Sequence, residues 1–160
     1  MEIEEVIVTA QKREQYLSDV PMSITAISSD ELYLLGANDF ADYALTVPGL
    51  GYSAVGTMGN RGQRQINLRG ISSNVGTDTV GYYIGEAPIR FVDPRLFDIN
   101  RIEVLRGPQG TLYGAGSMGG TIRVIPNAPD AGGFDANAEG ILSYTHNGKT
   151  NYSANAMLNM

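Results

Sequence analysis

The chain has 160 residues, a formal net charge of −6, 42% hydrophobic residues, 20 glycines, no cysteine and one histidine. That length suits one domain of ordinary size, and a chain without cysteine has neither disulfides nor thiolate metal sites. The lone His146 falls in an expected turn, which argues against a histidine metal centre or catalytic triad, and the acidic balance argues against a nucleic-acid partner.

No apolar run reaches 18 residues, so no transmembrane helix is expected. A β-barrel stays open, because its strands need only alternate. Met1 is followed directly by Glu2, with no apolar segment ahead of a small-residue cleavage site, so no signal peptide is expected within this sequence.

Glu4 to Ala10, EEVIVTA, reads either as an ordinary edge strand of the domain itself or as an exposed extended segment available to another sheet edge, since Gln11 to Gln15 is too polar to pack beside it. Met22 to Ile27 follows as a strand, with Met22, Ile24 and Ala26 on one face. Ser28 to Glu31 forms a capping box, opening a helix that buries Leu32 and Leu35 and stops at Gly36. A second short helix, 39–45, takes Asn38 as its N-cap and ends ahead of Pro48.

Gly49 to Arg64 reads as a long glycine-rich loop in which Tyr52, Met58, Asn60, Arg61, Gln63 and Arg64 are spaced between glycines. Loops of that length in compact domains are often functional. No acid occurs between Asp42 and Asp78, while Arg61, Arg64 and Arg69 fall in that gap. These arginines either solvate loops or form a positive surface for anionic ligands. Strands are expected at 66–70, 80–84 and 88–92, the last two joined at Gly85-Glu86.

Arg101 to Pro126, RIEVLRGPQGTLYGAGSMGGTIRVIP, is a strand, a close-packed glycine turn and a second strand. Gly114-Ala115-Gly116-Ser117-Met118-Gly119 satisfies G-x-G-x-x-G. A dinucleotide site needs those glycines to open a helix, whereas here they lead into Ile122, Val124 and Ile125, a strand pattern. Tight backbone packing is the better reading.

From Phe134 the character changes to two alternating segments, with Ala136, Ala138, Gly140, Leu142 and Tyr144 answered by Tyr152, Ala154, Ala156, Leu158 and Met160. Asn147-Gly148 between them is a strong hairpin signal. A soluble half-buried hairpin would show the same period, but the strand lengths fit a bilayer, and Tyr144 with Tyr152 fits an interfacial girdle.

The stretch from Arg101 to Asn127 resembles the hallmark of the plug domain of TonB-dependent outer-membrane receptors, in which I-E-V-L-R-G-P precedes L-Y-G and G-G-x-I. EEVIVTA resembles the TonB box, Leu68-Arg69-Gly70 an I/L-R-G motif, and Val80 to Ile84 with Pro88-Ile89 a V-Y-I-D-G-x-P-I strand pair. Gly85-Glu86-Ala87 departs from the D-G-V of many members, which leaves the role of Glu86 open.

The resemblance implies an α+β fold: a small mixed sheet with short helices and long glycine-rich loops, followed by the first antiparallel hairpin of a transmembrane β-barrel. It implies an N-terminal segment 1–15, a plug 16–127, a linker 128–133 and two barrel strands in 134–160. Glu5, Val6, Ile7, Val8, Thr9 and Ala10 would pair with TonB, and Tyr52, Met58, Asn60, Arg61, Gln63, Arg64 and Phe91 would face the ligand. Arg69 and Arg106 would lock the plug to glutamates inside the barrel. The implied activity is gated uptake of a scarce nutrient (an iron chelate, cobalamin or a saccharide) in the outer membrane of a Gram-negative bacterium, with the N-terminus periplasmic. No cofactor, metal, catalysis or nucleic acid is implied, and the partners are TonB, the nutrient and outer-membrane lipid.

A 22-stranded barrel needs at least ~220 residues in strands, and residues 134–160 supply only the beginning of one. The chain is therefore expected to be a fragment. The alternative is a stand-alone periplasmic binding or signalling module of the same fold. An enzyme is disfavoured, because Asp78, Glu86, Asp93 and Asp98 show no acid/base spacing.

Overall fold

Two central strands, buried on both faces, set the architecture of the larger of two units, Met1–Pro126; the smaller is Asn127–Met160. The computed structural model describes residues 6–54, 64–72, 78–90, 94–146 and 148–160. In chain order the larger unit contains β1 (Ile7–Val8), β2 (Gln15–Tyr16), a 3-10 turn at Leu17–Asp19, β3 (Ser23–Ser28), α1 (Ser29–Leu34), α2 (Phe40–Ala44), β4 (Leu50–Ala54) and β5 (Arg64–Leu68). It continues with β6 (Val80–Ile84), β7 (Ala87–Pro88), β8 (Ile99–Arg106), α3 (Gly110–Tyr113) and β9 (Gly120–Pro126).

The main sheet has the order β3-β8-β9-β6-β7. β8 is antiparallel to both β3 and β9, whereas β6 runs parallel to β9, so the sheet is mixed as expected. Side chains alternate across a strand, and β8 and β9 use both sides. Ile102, Val104, Ile122 and Val124 pack with Ile27, Leu32, Phe40, Tyr43, Leu50 and Leu68 from the helices and the β4–β5 hairpin. On the other face Leu105 meets Tyr113 and Ala10, with Met22, Ile24 and Tyr83 against them. Each fully buried side chain of this size contributes about 1.5–3 kcal/mol.

Local chemistry fixes the helix ends. Ser28 caps α1, with reciprocal bonds between its side chain and Glu31 N–H and between the Glu31 carboxylate and Ser28 N–H. The helix closes through Gly36 N–H to Tyr33 O and Ala37 N–H to Leu32 O, with Gly36 at φ +62°. Leu32 is buried, but Leu35, the C-cap residue at the end of the helix, is exposed, contrary to expectation. The N-cap of α2 is Asp39 and not Asn38: Asp39 accepts from Ala41 N–H, and Asp42 reaches back to the Asp39 N–H. A carboxylate there also suits the positive end of the helix.

Part of the glycine-rich segment expected as loop is strand. β4 pairs with β5 from Leu50↔Leu68 to Ala54↔Arg64, so Tyr52 is a ladder residue opposite Ile66. Conversely, the strand expected over 88–92 is only the two-residue β7, and 91–93 lie outside the described residues. Arg69 and Gly70 are not strand but a left-handed turn, at φ +53° and +76°.

The G-x-G-x-x-G residues lead into β9 rather than a helix. Gly120 ends that passage at φ +152°, and a Cβ there would collide with the Leu105 carbonyl oxygen. Gly120→Ala is therefore expected to lower the stability of this unit by about 2–5 kcal/mol, adding backbone strain to overpacking, as read by urea unfolding. A loss below about 0.5 kcal/mol would show that β8 and β9 tolerate separation here.

The smaller unit is one hairpin, β10 (Asp135–Tyr144) with β11 (Thr150–Asn159), in continuous antiparallel register from Asp135↔Asn159 to Tyr144↔Thr150. Of the expected turn residues, Asn147 lies outside the described residues. Ala136, Ala138, Leu142 and Tyr144 share one face with Leu158, Ala156, Ala154 and Tyr152. Leu142, Tyr144, Tyr152 and Leu158 on it are exposed, as is Phe134 just ahead of β10. On the opposite face Asn155 donates to Glu139 at 2.9 Å.

Candidate functional site

The N-terminal segment is not an exposed ribbon. Val8 and Ala10 are 0% and 1% exposed, and the polar run judged unable to pack beside them folds back so that Ile7 pairs with Tyr16 and Val8 with Gln15. A backbone ladder is indifferent to side-chain polarity, which is why Gln15 serves as a partner. Lys12, at φ +60°, makes the reversal, and its N–H donates to Thr9 O at 2.9 Å.

Beneath Thr9 lies a pair of charges that the strand periodicity brings together. Glu103 in β8 and Arg123 in β9 are direct cross-strand neighbours, on the face that carries Leu105 and Ala10. They are 0% and 2% exposed, and Arg123 Nη1 donates to Glu103 Oε2 at 2.8 Å. Burying two ions is costly unless their remaining atoms are also satisfied, and among the described residues all but Arg123 Nε have a partner. Here Glu103 Oε1 accepts from Arg101 Nε at 2.8 Å and from the Thr9 backbone N–H at 2.8 Å. Arg123 Nη1 lies 2.8 Å from Thr9 O and 2.9 Å from Thr9 Oγ1, and Arg101 Nη2 donates to Thr9 Oγ1 at 3.2 Å.

Glu86, the residue whose role the sequence left open, completes the group from the turn after β6. Its Oε1 accepts from Arg123 Nη2 at 2.6 Å, and its Oε2 lies 3.3 Å from Lys12 Nζ. Tyr113 closes the other side, donating from its hydroxyl to Ala10 O at 2.7 Å. The Lys12 ammonium and the Arg123 guanidinium each lie 5.6 Å from the centre of its ring.

Burial pushes the Tyr113 hydroxyl from its ordinary value of 10.0 up to about 12, with the Arg123 guanidinium partly opposing and Glu86 and Glu103 adding to the rise. An unfolded chain ionises Tyr113 near pH 10, while the folded one keeps the proton to about pH 12. The stabilisation is therefore full below pH 10 and lost as pH rises through 12, a loss of roughly 2–3 kcal/mol. Urea unfolding from pH 9 to 12 should show that decline, and Tyr113→Phe should flatten it by the same amount; identical profiles would exclude Tyr113 as its source.

Of the residues expected to pair with TonB, Val6 to Ala10 are in this docked segment, and Glu5 lies outside the described residues. Of those expected to face a ligand, Met58, Asn60, Arg61, Gln63 and Phe91 lie outside them too, as does the Arg64 side chain. Tyr52 is half-buried, packing edge-on at 5.4 Å from Phe40. Removing it therefore disturbs the core and is not the neutral surface change expected of a loop residue. Arg69 is exposed, and its guanidinium stands beside Gly107, where an added Cβ would be 3.7 Å from Nη1. Arg106 reaches Pro48 O and Ile24 O only at 3.4 Å, and its buried Nε has no partner among the described residues.

Sequence reasoning passed over the ladder charges Arg101, Glu103 and Arg123, and it assigned Glu86 no role. One signal was present: Glu103 and Arg123 are lone charges inside two otherwise β-forming runs, IEVL and TIRVI. Among the described residues no cluster of His, Cys, Asp and Glu could hold a metal, and no helix is long and apolar enough to cross a membrane.

Residues 17–121 match the family model of the TonB-dependent receptor plug domain. Over 129 residues the chain is 35% identical to the vitamin B12 transporter BtuB of Vibrio vulnificus (strain CMCP6), covering 79% of this chain and 21% of that protein. It is 32% identical over 131 residues to the pesticin receptor of Yersinia pestis, covering 79% and 19%. The crystal structure of the ferric yersiniabactin uptake receptor FyuA from Yersinia pestis superposes with a TM-score of 0.63 at 31% identity, covering 76% of this chain and 20% of that one. The ferripyoverdine receptor of Pseudomonas aeruginosa, bound to ferripyoverdine, gives 0.68 at 25% identity, with 87% and 18% covered. The chain thus spans about a fifth of the length of the curated relatives it matches.

Proposed function

Since the chain belongs to the TonB-dependent receptor plug family, we propose that it is the plug and first barrel hairpin of an outer-membrane transporter, coupled to TonB through Glu5 to Ala10. The observation that carries this reading is the N-terminal strand: a two-residue ladder, held to the plug by side chains, that another strand can recruit by edge pairing. The family is one of receptors and transporters, and no catalytic step is proposed.

The exposed apolar face of β10 and β11 supports a lipid-facing start of a barrel wall, with Tyr144 and Tyr152 at its rim. The nutrient belongs to the class its relatives handle, an iron chelate or cobalamin, with a saccharide as the further option. It is read by the surface that includes Tyr52, Met58, Asn60, Arg61, Gln63, Arg64 and Phe91. Arg69 and Arg106 lock the plug to carboxylates of the surrounding wall, and the orphan Nε of Arg106 supports a partner supplied from outside this unit.

The test expresses the complete receptor in Gram-negative cells with and without TonB and follows uptake of labelled ferric siderophores, cyanocobalamin and oligosaccharides. Uptake of at least one, in TonB-containing cells only, is expected. Equal uptake in both strains, or uptake of none, would overturn the assignment in favour of a periplasmic binding module.

A further inference from the structure

The geometry points to Glu103 and Arg123 as a side-chain imitation of a pairing strand, which keeps the open edge of β1 closed until it is displaced. This rests on the coupling role proposed for the N-terminal strand. In an antiparallel ladder the N–H and C=O groups of successive residues face alternate sides. Val6 O accepts from Leu17 N–H at 2.9 Å, so Val6 and Val8 address β2, while Ile7 and the Thr9 N–H address the opposite edge; the Thr9 C=O is shared between the Lys12 N–H of the turn, at 2.9 Å, and Arg123.

At Thr9 that edge is already filled. The Glu103 carboxylate takes its N–H at 2.8 Å and the Arg123 guanidinium takes its C=O at 2.8 Å. These are the donor and acceptor a neighbouring strand would supply, delivered by two side chains that are themselves paired. An incoming strand must bond Ile7 and Thr9 together, because both lie on the same edge. It therefore has to expel Glu103 and Arg123 from Thr9 first.

The restraint also has a handle. Glu86 holds Arg123 through one oxygen and Lys12 through the other, so the β6–β7 turn grips both the clasp and the hairpin it restrains. Glu86 and Lys12 are the exposed members of the group, with side chains 60% and 48% accessible, whereas Glu103 and Arg123 are enclosed. The occupant that fits this edge is a β-strand bringing backbone groups, and its side chains need not be specific.

The test compares the complete native receptor with the double variant Glu103→Leu/Arg123→Met, an apolar pair of similar bulk chosen to keep the plug folded. Hydrogen exchange of the peptide over residues 6–11 is read without nutrient, alongside binding of the purified C-terminal domain of TonB. Two charge-assisted hydrogen bonds predict that the Thr9 amide exchanges at least about tenfold faster in the double variant, and that the TonB domain binds it at least about tenfold more tightly. Equal exchange in the two proteins, or faster exchange with the TonB domain bound equally tightly by both, overturns the clasp. Ile7→Pro in the double-variant background removes an outward N–H and should abolish the gained binding. TonB binding that survives Ile7→Pro, or is absent in every protein, overturns the coupling role of this strand, and the exchange comparison alone then decides the clasp.

Discussion

Methionine at Arg123 alone is expected to destabilise the plug by about 3 kcal/mol, whereas the same change combined with Glu103→Leu should leave it within about 1 kcal/mol of native stability. The single variant strands Glu103 with no access to water: Arg101 still pairs with Oε1, but Oε2 loses its only bonded partner among the described residues. The double variant removes both ions together and restores apolar contact beside Leu105 and Tyr113. Unfolding in urea with an unchanged slope measures both. If the two proteins lose equal stability, the pair is not a coupled buried ion pair, and the bonds to Thr9 carry no more weight than surface contacts.

Proline at Ile7 should abolish TonB-dependent uptake while leaving the hairpin docked, and proline at Val8 should abolish it by a different route. The Ile7 N–H faces the open edge, where proline is tolerated by a strand but cannot accept a new neighbour. The Val8 N–H faces β2 and its side chain is buried, so proline there also undoes the β1–β2 pairing. Alanine at Val6 or Ile7 should be tolerated, because edge pairing reads backbone groups. Uptake assays, with hydrogen exchange over residues 6–17 to follow docking, separate the two routes. Wild-type uptake by the Ile7→Pro receptor would remove this strand from the coupling mechanism.

What was legible in the sequence was local or strongly periodic. The Ser28 capping box and the Gly36 stop need only neighbouring residues, and both are present. The two runs around the RGP turn were long enough for alternation to place β8 and β9. The Asn38–Asp39 choice failed because adjacent residues with similar capping ability differ only in backbone angle. Tyr52 was hidden by its glycines, since a ladder between β4 and β5 owes its stability to Leu50, Leu68 and Phe40, which are distant in sequence. The Thr9 site was beyond reach for the same reason. It joins residues 9, 86, 103 and 123, and only the register of β8 on β9 makes two isolated charges into a pair.

The order of the main sheet has a mechanical consequence. β3 is an edge strand, follows the N-terminal hairpin after the 3-10 turn, and among the described residues is held to one neighbouring strand, β8. Tension applied ahead of Val6 therefore meets its resistances in series: the two-residue β1–β2 ladder, then the bonds at Thr9, then Ser23↔Arg106 at the near end of β3. A strand loaded from one end and bound along one side peels one pair at a time, which takes less force than shearing the whole ladder at once. β8 and β9, each flanked by strands on both sides, would carry load only after β3 had gone. The chain is thus graded from a releasable leading end to a rigid centre.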